Sequence, residues 1–401
     1  MDELYLDNAA TTPCDPRVVA CMMPLFADEF ANPHSSTHAP GGRAARAVEI
    51  ARAEVADLIG ADPREIIFTS GATEANNLAI KGAARHRLRH GDGRRRIVTV
   101  ATEHKCVLES VRDLAGEGFD PVILPVDSNG RLDPARLREA VSIPTALVSI
   151  MAANNETGVL QDLPALGRIA KDAGALFHSD LAQAAGKTAV DVRALDLDLA
   201  SVSAHKLYGP KGIGALFVRR RPRVRLEPLF SGGGQERGFR SGTLPAALIA
   251  GFGCAARIAA AEGEADARHL AYLAEALSGG LLARQVAFSI NAKEAPRLPG
   301  ILSLCLPGVP ALALMERTPE LALSVGSACS SADLAPSYVL TAMGLSPVEA
   351  AESLRLSPGR FTTPATIARA ADLIARAAQQ VREQDPPGTD PDRMVSSGRL
   401  I

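Results

Sequence analysis

Six short apolar runs, at 65–69, 96–101, 122–126, 146–151, 175–178 and 197–203, recur along the chain with helix-length stretches between them. A strand, a helix and a second strand close most readily as a parallel pair with the helix packed on one face. The alternation therefore predicts an α/β fold around a largely parallel sheet. Ligands of such sheets gather at the carboxyl ends of the strands. The residues that follow the apolar runs are Ser70-Gly71-Ala72-Thr73, Glu103-His104, Asn154-Asn155-Glu156, Asp180 with Gln183, and Ser203-Ala204-His205-Lys206. They are expected to converge on one site.

The rest of the chain predicts a second, smaller unit. Gly209-Pro210-Lys211-Gly212-Ile213-Gly214 is a turn signal, and the apolar run 215–218 after it predicts a hairpin at an edge of the sheet. An alanine-rich stretch at 245–282 predicts a long helix linking two domains. Strand-like runs at 301–306 and 321–325, with helices at 336–343 and 364–381, predict an α+β domain. At 401 residues the chain exceeds the usual size of one core. The expected boundaries are a large domain at 14–259, a small domain formed by 1–13 and 260–384, and a flexible tail at 385–401, where Asp385-Pro386-Pro387-Gly388 breaks all periodicity.

With 43 basic and 45 acidic residues, net −2, the chain has no electrostatic footprint for nucleic acid or for an anionic membrane. No apolar run approaches the ~18 residues of a membrane span, and Met1-Asp2-Glu3 does not open a signal peptide, so a cytoplasmic protein is expected. The six cysteines, Cys14, Cys21, Cys106, Cys254, Cys305 and Cys329, form no close pair, which suits reduced thiols rather than disulfides or a zinc knuckle.

Lysine is scarce, with Lys81, Lys105, Lys171, Lys187, Lys206 and Lys211 in the first 220 residues and only Lys293 after them. Most lysines are solvated surface charges. Lys206 ends an apolar run, where desolvation lowers the amine's pKa toward that of a nucleophile for a carbonyl cofactor, which points to pyridoxal phosphate. That cofactor needs an anion site, a carboxylate for its ring nitrogen and a group against its ring. Ser70-Gly71-Ala72-Thr73-Glu74 opens an apolar helix whose free amides suit a phosphate, although a plain N-cap also explains it. Asp180 can hold the ring nitrogen protonated, Gln183 can reach the ring hydroxyl, and His104 can stack on the ring and act as acid or base, or simply cap a helix.

Asp7-Asn8-Ala9-Ala10-Thr11-Thr12-Pro13, Asn32-Pro33 with Ser35-Ser36 and His38, Thr69-Ser70-Gly71-Ala72-Thr73-Glu74, Asn154-Asn155-Glu156-Thr157-Gly158, His205-Lys206-Leu207-Tyr208-Gly209-Pro210-Lys211-Gly212, Gly233-Gly234-Gln235-Glu236-Arg237 and Gly326-Ser327-Ala328-Cys329 together resemble the cysteine desulfurases of the nitrogen-fixation and iron–sulfur-assembly type. The resemblance runs from residue 4 to 383. It implies the pyridoxal-phosphate transferase fold type I, aspartate-aminotransferase-like, in its class V branch. That fold has a mostly parallel seven-stranded sheet in the large domain, a smaller α+β domain, and two identical subunits.

By position, the resemblance makes Lys206 the Schiff-base lysine, Asp180 the partner of the ring nitrogen, Gln183 that of the ring hydroxyl, and His104 the stacking and acid–base residue. Ala72, Thr73, Ser203 and His205 hold the phosphate, with Thr243 contributed by the other subunit. Asn155 borders the cofactor and joins Arg355 in gripping the substrate carboxylate. Cys329 takes the sulfur of L-cysteine as a persulfide, leaving L-alanine, and passes it to an acceptor protein, an iron–sulfur scaffold or another sulfur carrier. No resident metal is implied, with Cys329 the candidate for a transient iron–sulfur ligand.

Gly326, Ser327, Ala328, Ser330, Ser331 and Ala332 are small, which predicts a loop able to carry Cys329 away from the site. Val325 and Ser330 replace the family's usual serine and threonine, and Ala204 a glycine. Cys106 is an extra thiol near His104 with no role assigned. The tail after Glu383 does not resemble the end that docks a scaffold in the iron–sulfur-assembly members. A selenocysteine lyase, a class V aminotransferase and a non-catalytic sulfur-transfer adaptor are the competing readings.

Overall fold

The computed structural model describes residues 4–325 and 336–384, so residues 326–335, with Cys329, and those from 385 lie outside the described residues. In chain order the elements are β1 (Leu4–Tyr5), α1 (Pro16–Met22), α2 (Pro24–Ala27), α3 (Ala39–Leu58), β2 (Ile66–Thr69), α4 (Ala72–Arg89), β3 (Arg96–Val100), α5 (Lys105–Asp113), β4 (Asp120–Leu124), α6 (Pro134–Ala140), β5 (Thr145–Ser149), α7 (Leu163–Asp172), β6 (Leu176–Asp180), β7 (Leu199–Ser203) and β8 (Gly214–Val218). There follow α8 (Ala246–Ala283), β9 (Ser289–Ile290), β10 (Leu302–Cys305), α9 (Ala311–Arg317), β11 (Leu321–Ala322), α10 (Tyr338–Ala342), α11 (Pro347–Ala351), β12 (Ser353–Leu356) and α12 (Pro364–Gln384).

Seven strands form one sheet in the order β2-β8-β7-β6-β5-β3-β4. From β4 to β7 neighbours are parallel, while β8 is antiparallel to both β7 and β2. Because side chains alternate along a strand, Ile66 and Phe68 face a core shared with Val48, Val55, Ile249 and Phe252, while Ile67 faces the opposite core with Leu78, Ile80, Val107 and Val111. Helices α3 and α8 thus cover one face and α4 and α5 the other. A separate cluster joins Leu4 and Leu6 to Leu273, Leu277, Leu304, Leu354, Ile367 and Ile374. It packs a three-stranded sheet, β12-β10-β9, and the short parallel pair of β1 with β11.

Three expectations change. The hairpin after Lys206 exists, but β8 lies inside the sheet and β2 is the edge. Side chains take the place of a neighbouring strand there: Glu236 accepts the Phe68 N–H at 2.7 Å, and Arg52 donates to the Ile66 carbonyl at 3.0 Å. The strand expected at 122–126 begins two residues earlier and contains Pro121, which is tolerated because β4 is the opposite edge. In addition, α8 is long and apolar enough to cross a membrane by composition, correcting the expectation that no run reaches that length. Most of that apolar window is buried within the protein, as in a core helix.

One buried titratable group gives a testable pH dependence. His178 sits in β6, with Ser149 Oγ 2.8 Å from Nδ1 and Ser201 Oγ 3.1 Å from Nε2, and burial pushes its pKa down to about 3. The native ring stays neutral while the unfolded chain takes up a proton near pH ~6.5. Its contribution to stability is therefore complete above that value and is lost as pH falls. In His178→Gln, the fall in unfolding free energy between about pH 6.5 and 4.5, read from denaturant melts, is expected to be shallower by up to about 1.4 kcal/mol per pH unit. Equal slopes in the two proteins would mean that the imidazole is already charged in the fold.

Candidate active site

The carboxyl ends of β2, β3, β5, β6 and β7 open into a cavity of about 500 Å³, which the N-terminal segment, Tyr338 and Arg355 also line. Lys206 ends a short 3₁₀ turn, Ala204–Lys206, directly after β7. Its Nζ donates to the carbonyl of Ala9 and, at 2.7 Å, to that of Ala10. The segment carrying these carbonyls is clamped to the lysine turn, since the His205 carbonyl accepts from both the backbone and the hydroxyl of Thr12, at 3.0 and 2.9 Å. His205 Nδ1 lies 3.0 Å from Thr11 Oγ1, and burial together with the charges of Lys206, Lys211 and Lys187 pushes its pKa down to about 4. It is a neutral ring at the cavity wall.

Asp180 closes β6. Its Oδ2 accepts from Asn76 Nδ2 at 2.7 Å and its Oδ1 from the Ala182 N–H at 2.8 Å, so the carboxylate is held in a fixed orientation. Gln183 Nε2 donates to the Ala9 carbonyl at 2.8 Å. His104 is the N-cap of α5, as a plain helix cap would be, and it also lines the cavity. Its Nδ1 accepts from the Cys106 N–H at 3.2 Å, which places the proton of the neutral ring on Nε2, and Cys106 Sγ lies 3.0 Å from the same nitrogen.

Helix α4 starts at Gly71, whose φ of 153° is open to glycine alone, and no side chain caps its first amides. A β-carbon at Gly71 would meet nothing within 4 Å, so the helix end is open. An uncapped N-terminus of an 18-residue helix presents free N–H groups and positive potential, the ordinary requirements of an anion site. Among the described residues, Ser203 Oγ and Asn155 Oδ1 are buried without a hydrogen-bond partner, and both residues line the cavity. Arg355 lies in β12, 3% exposed, its Nη1 on the Asn155 carbonyl at 2.9 Å and its Nη2 on Asp7 Oδ1 at 2.7 Å.

Ala72, Thr73, His104, Asn155, Asp180, Gln183, Ser203, His205, Lys206 and Arg355 thus border one cavity. Thr243 borders a smaller one, of about 140 Å³, which shares Ser70 and Gly212 with the first. Cys329 is outside the described residues. Sequence reasoning missed Asn76, whose position one turn into α4 is the available signal, and Lys187, which donates to Gln183 Oε1 at 2.8 Å. It also assigned no function to Glu103, although that residue follows β3. Burial, with the charge of Asp180 nearby, raises its pKa above the ordinary carboxylate value.

The model of the aminotransferase class-V family matches residues 4–369. The cysteine desulfurase IscS of Rickettsia akari (strain Hartford) is 49% identical over 383 residues, 96% of this chain and 93% of that protein, and the IscS of Rickettsia felis (strain ATCC VR-1525 / URRWXCal2) matches to the same extent. A solved NifS-like protein superposes with a TM-score of 0.86 at 35% identity, covering 94% of this chain and 100% of that one. SspA in complex with cysteine superposes at 0.78 with 37% identity, covering 90% and 99%. The aspartate-aminotransferase-like architecture expected from the motifs is the one these proteins share. This chain is a member of the class-V aminotransferase family, within its cysteine desulfurase branch.

Proposed function

We propose that the protein is a pyridoxal-phosphate-dependent cysteine desulfurase. It converts L-cysteine to L-alanine and passes the sulfur, as a persulfide on Cys329, to an acceptor protein that builds iron–sulfur clusters or another thio-cofactor. The observation that carries this reading is the meeting of Lys206, the oriented Asp180 and the uncapped start of α4 in one cavity. The cofactor fits the residues present. The free amides of Ala72 and Thr73, the unpartnered Ser203 hydroxyl and neutral His205 suit its phosphate, with the partner subunit's Thr243 completing that site in a homodimer. Asp180 suits its ring nitrogen, Gln183 its hydroxyl and His104 its face.

When bound, pyridoxal phosphate supplies an electron sink for charge developing at the substrate carbons. The chain supplies the rest. Arg355, steadied by Asp7 and the Asn155 carbonyl, presents a guanidinium to the substrate carboxylate, and the Asn155 side chain borders the same place. The Lys206 amine removes the Cα proton, and His104, with its proton on Nε2, serves as a second acid or base. The free thiols of Cys14, Cys21, Cys106, Cys254 and Cys305 suit a reducing, cytoplasmic setting.

The test is the product balance. With L-cysteine and a thiol reductant, alanine and sulfide are expected to form in equal amounts. Without reductant, alanine should stall at about one per subunit as Cys329 fills with sulfane sulfur. A keto acid in place of alanine would make the protein an aminotransferase. Failure to bind pyridoxal phosphate would leave the adaptor.

A further inference from the structure

A glutamine amide can face either way, and only one orientation lets Gln183 donate to a ring hydroxyl. Its surroundings decide which. Lys187 Nζ lies 2.8 Å from Gln183 Oε1, and the Ala9 carbonyl lies 2.8 Å from Gln183 Nε2. A carbonyl can only accept, so Ala9 sets this orientation, and Lys187 in its ammonium form can only donate and enforces the same one. One N–H of Nε2 is then spent on Ala9, and the second is left for the cavity that Gln183 lines. We propose that Lys187 is a positioning residue, which holds the Gln183 amide with its donor side toward the cofactor's ring hydroxyl; this rests on the reading above.

The chain is built to bring this amine inside. Leu181 through Lys187 curl back on themselves, with the Lys187 N–H on the Ala184 carbonyl at 3.0 Å. Gly186, at φ 70°, passes so close to Leu207 and Ala259 that a β-carbon would lie 2.7 and 2.9 Å from their side chains. Only glycine allows the turn that tucks Lys187 behind Gln183. The amine is costly there, because burial and the positive charges of Lys206 and Arg355 push its pKa down to about 7. Lys187 also shares a small pocket with Lys206, and the chain from Lys187 through Gln183 to the Ala9 carbonyl ends on the carbonyl that Lys206 itself uses.

The experiment reconstitutes four purified proteins with pyridoxal phosphate: wild type, Lys187→Met, Gln183→Met and the double variant. Visible spectra and cofactor affinity are the readouts. Methionine keeps the length of the side chain and removes a desolvation cost, so Lys187→Met is expected to melt cooperatively; Lys187→Leu serves if it does not. Lys187→Met should shift the visible band in the same direction as Gln183→Met and weaken cofactor binding by roughly 2- to 10-fold, the worth of one hydrogen bond. The double variant should show nothing beyond Gln183→Met alone, the non-additivity of a residue that acts through another. A wild-type band in Lys187→Met beside a shifted one in Gln183→Met, or additive effects in the double variant, would overturn the assignment. Wild-type protein that binds no pyridoxal phosphate would instead defeat the functional reading.

Discussion

Lys206→Ala is expected to give a folded protein that borohydride can no longer link covalently to pyridoxal phosphate and whose release of alanine from cysteine falls roughly 10²- to 10⁴-fold, the usual worth of a placed proton-transfer group. The size of the effect follows from position. The amine stands at the end of a buried strand, in a turn fixed from outside by Thr12. Lys105 and Lys211 also border the cavity, from the start of α5 and from the turn ahead of β8, and Lys187 faces Gln183. The fold should be little affected, because the substitution removes donors from two carbonyls and the Ala9 carbonyl still accepts from Gln183 Nε2. The check is peptide mass spectrometry after borohydride treatment. A pyridoxyl group on Lys206 in the wild type and on no lysine in the variant is the expected pattern; the group on Lys187 or Lys211 of the wild type would move the assignment.

The site was readable in the sequence for a physical reason. In a parallel sheet the polar residue after an apolar run lies at the strand's carboxyl end, so Thr73, His104, Asn155, Asp180 and Lys206 announced themselves through what precedes them. The groups that orient them carry no such mark. Asn76 lies within α4 among Ala75, Leu78 and Ala79, and only packing of that helix against the sheet turns its amide toward Asp180. Lys187 is ordinary in sequence until the Gly186 turn folds it back. The same limit applies to strand order. The run at 215–218 revealed a strand, but its place between β2 and β7 depends on Glu236 and Arg52 satisfying the open edge of β2, from 168 and 14 residues away. Strand β12 escaped notice because Ser353 and Arg355 interrupt it, leaving no continuous apolar run of the kind that marked β2.

Cys329→Ser is expected to abolish sulfur transfer while leaving cofactor binding intact, with alanine formation lowered at least about a hundredfold. The argument is one of atom and electron balance. Cysteine and a thiol on the protein become alanine and a persulfide: the substrate's carbon–sulfur bond breaks, a sulfur–sulfur bond forms, and the electron pair of the broken bond ends in a new carbon–hydrogen bond of alanine. No external oxidant enters, but a thiolate must attack the substrate sulfur, and a hydroxyl, far less acidic and less nucleophilic toward sulfur, cannot replace it. Mass spectrometry of cysteine-treated wild type should find a gain of about 32 Da, one sulfur atom, on the peptide carrying Cys329, removable by reductant. The competing thiol is Cys106, which borders the cavity 3.0 Å from His104 Nδ1 and 3.2 Å from Asn76 Nδ2. Its neighbours make it a contact for the ring of His104 rather than a free acceptor. A Cys106→Ala protein should therefore keep the adduct on Cys329, whereas an adduct that survives in Cys329→Ser and disappears in Cys106→Ala would transfer the sulfur-accepting role to the cavity wall.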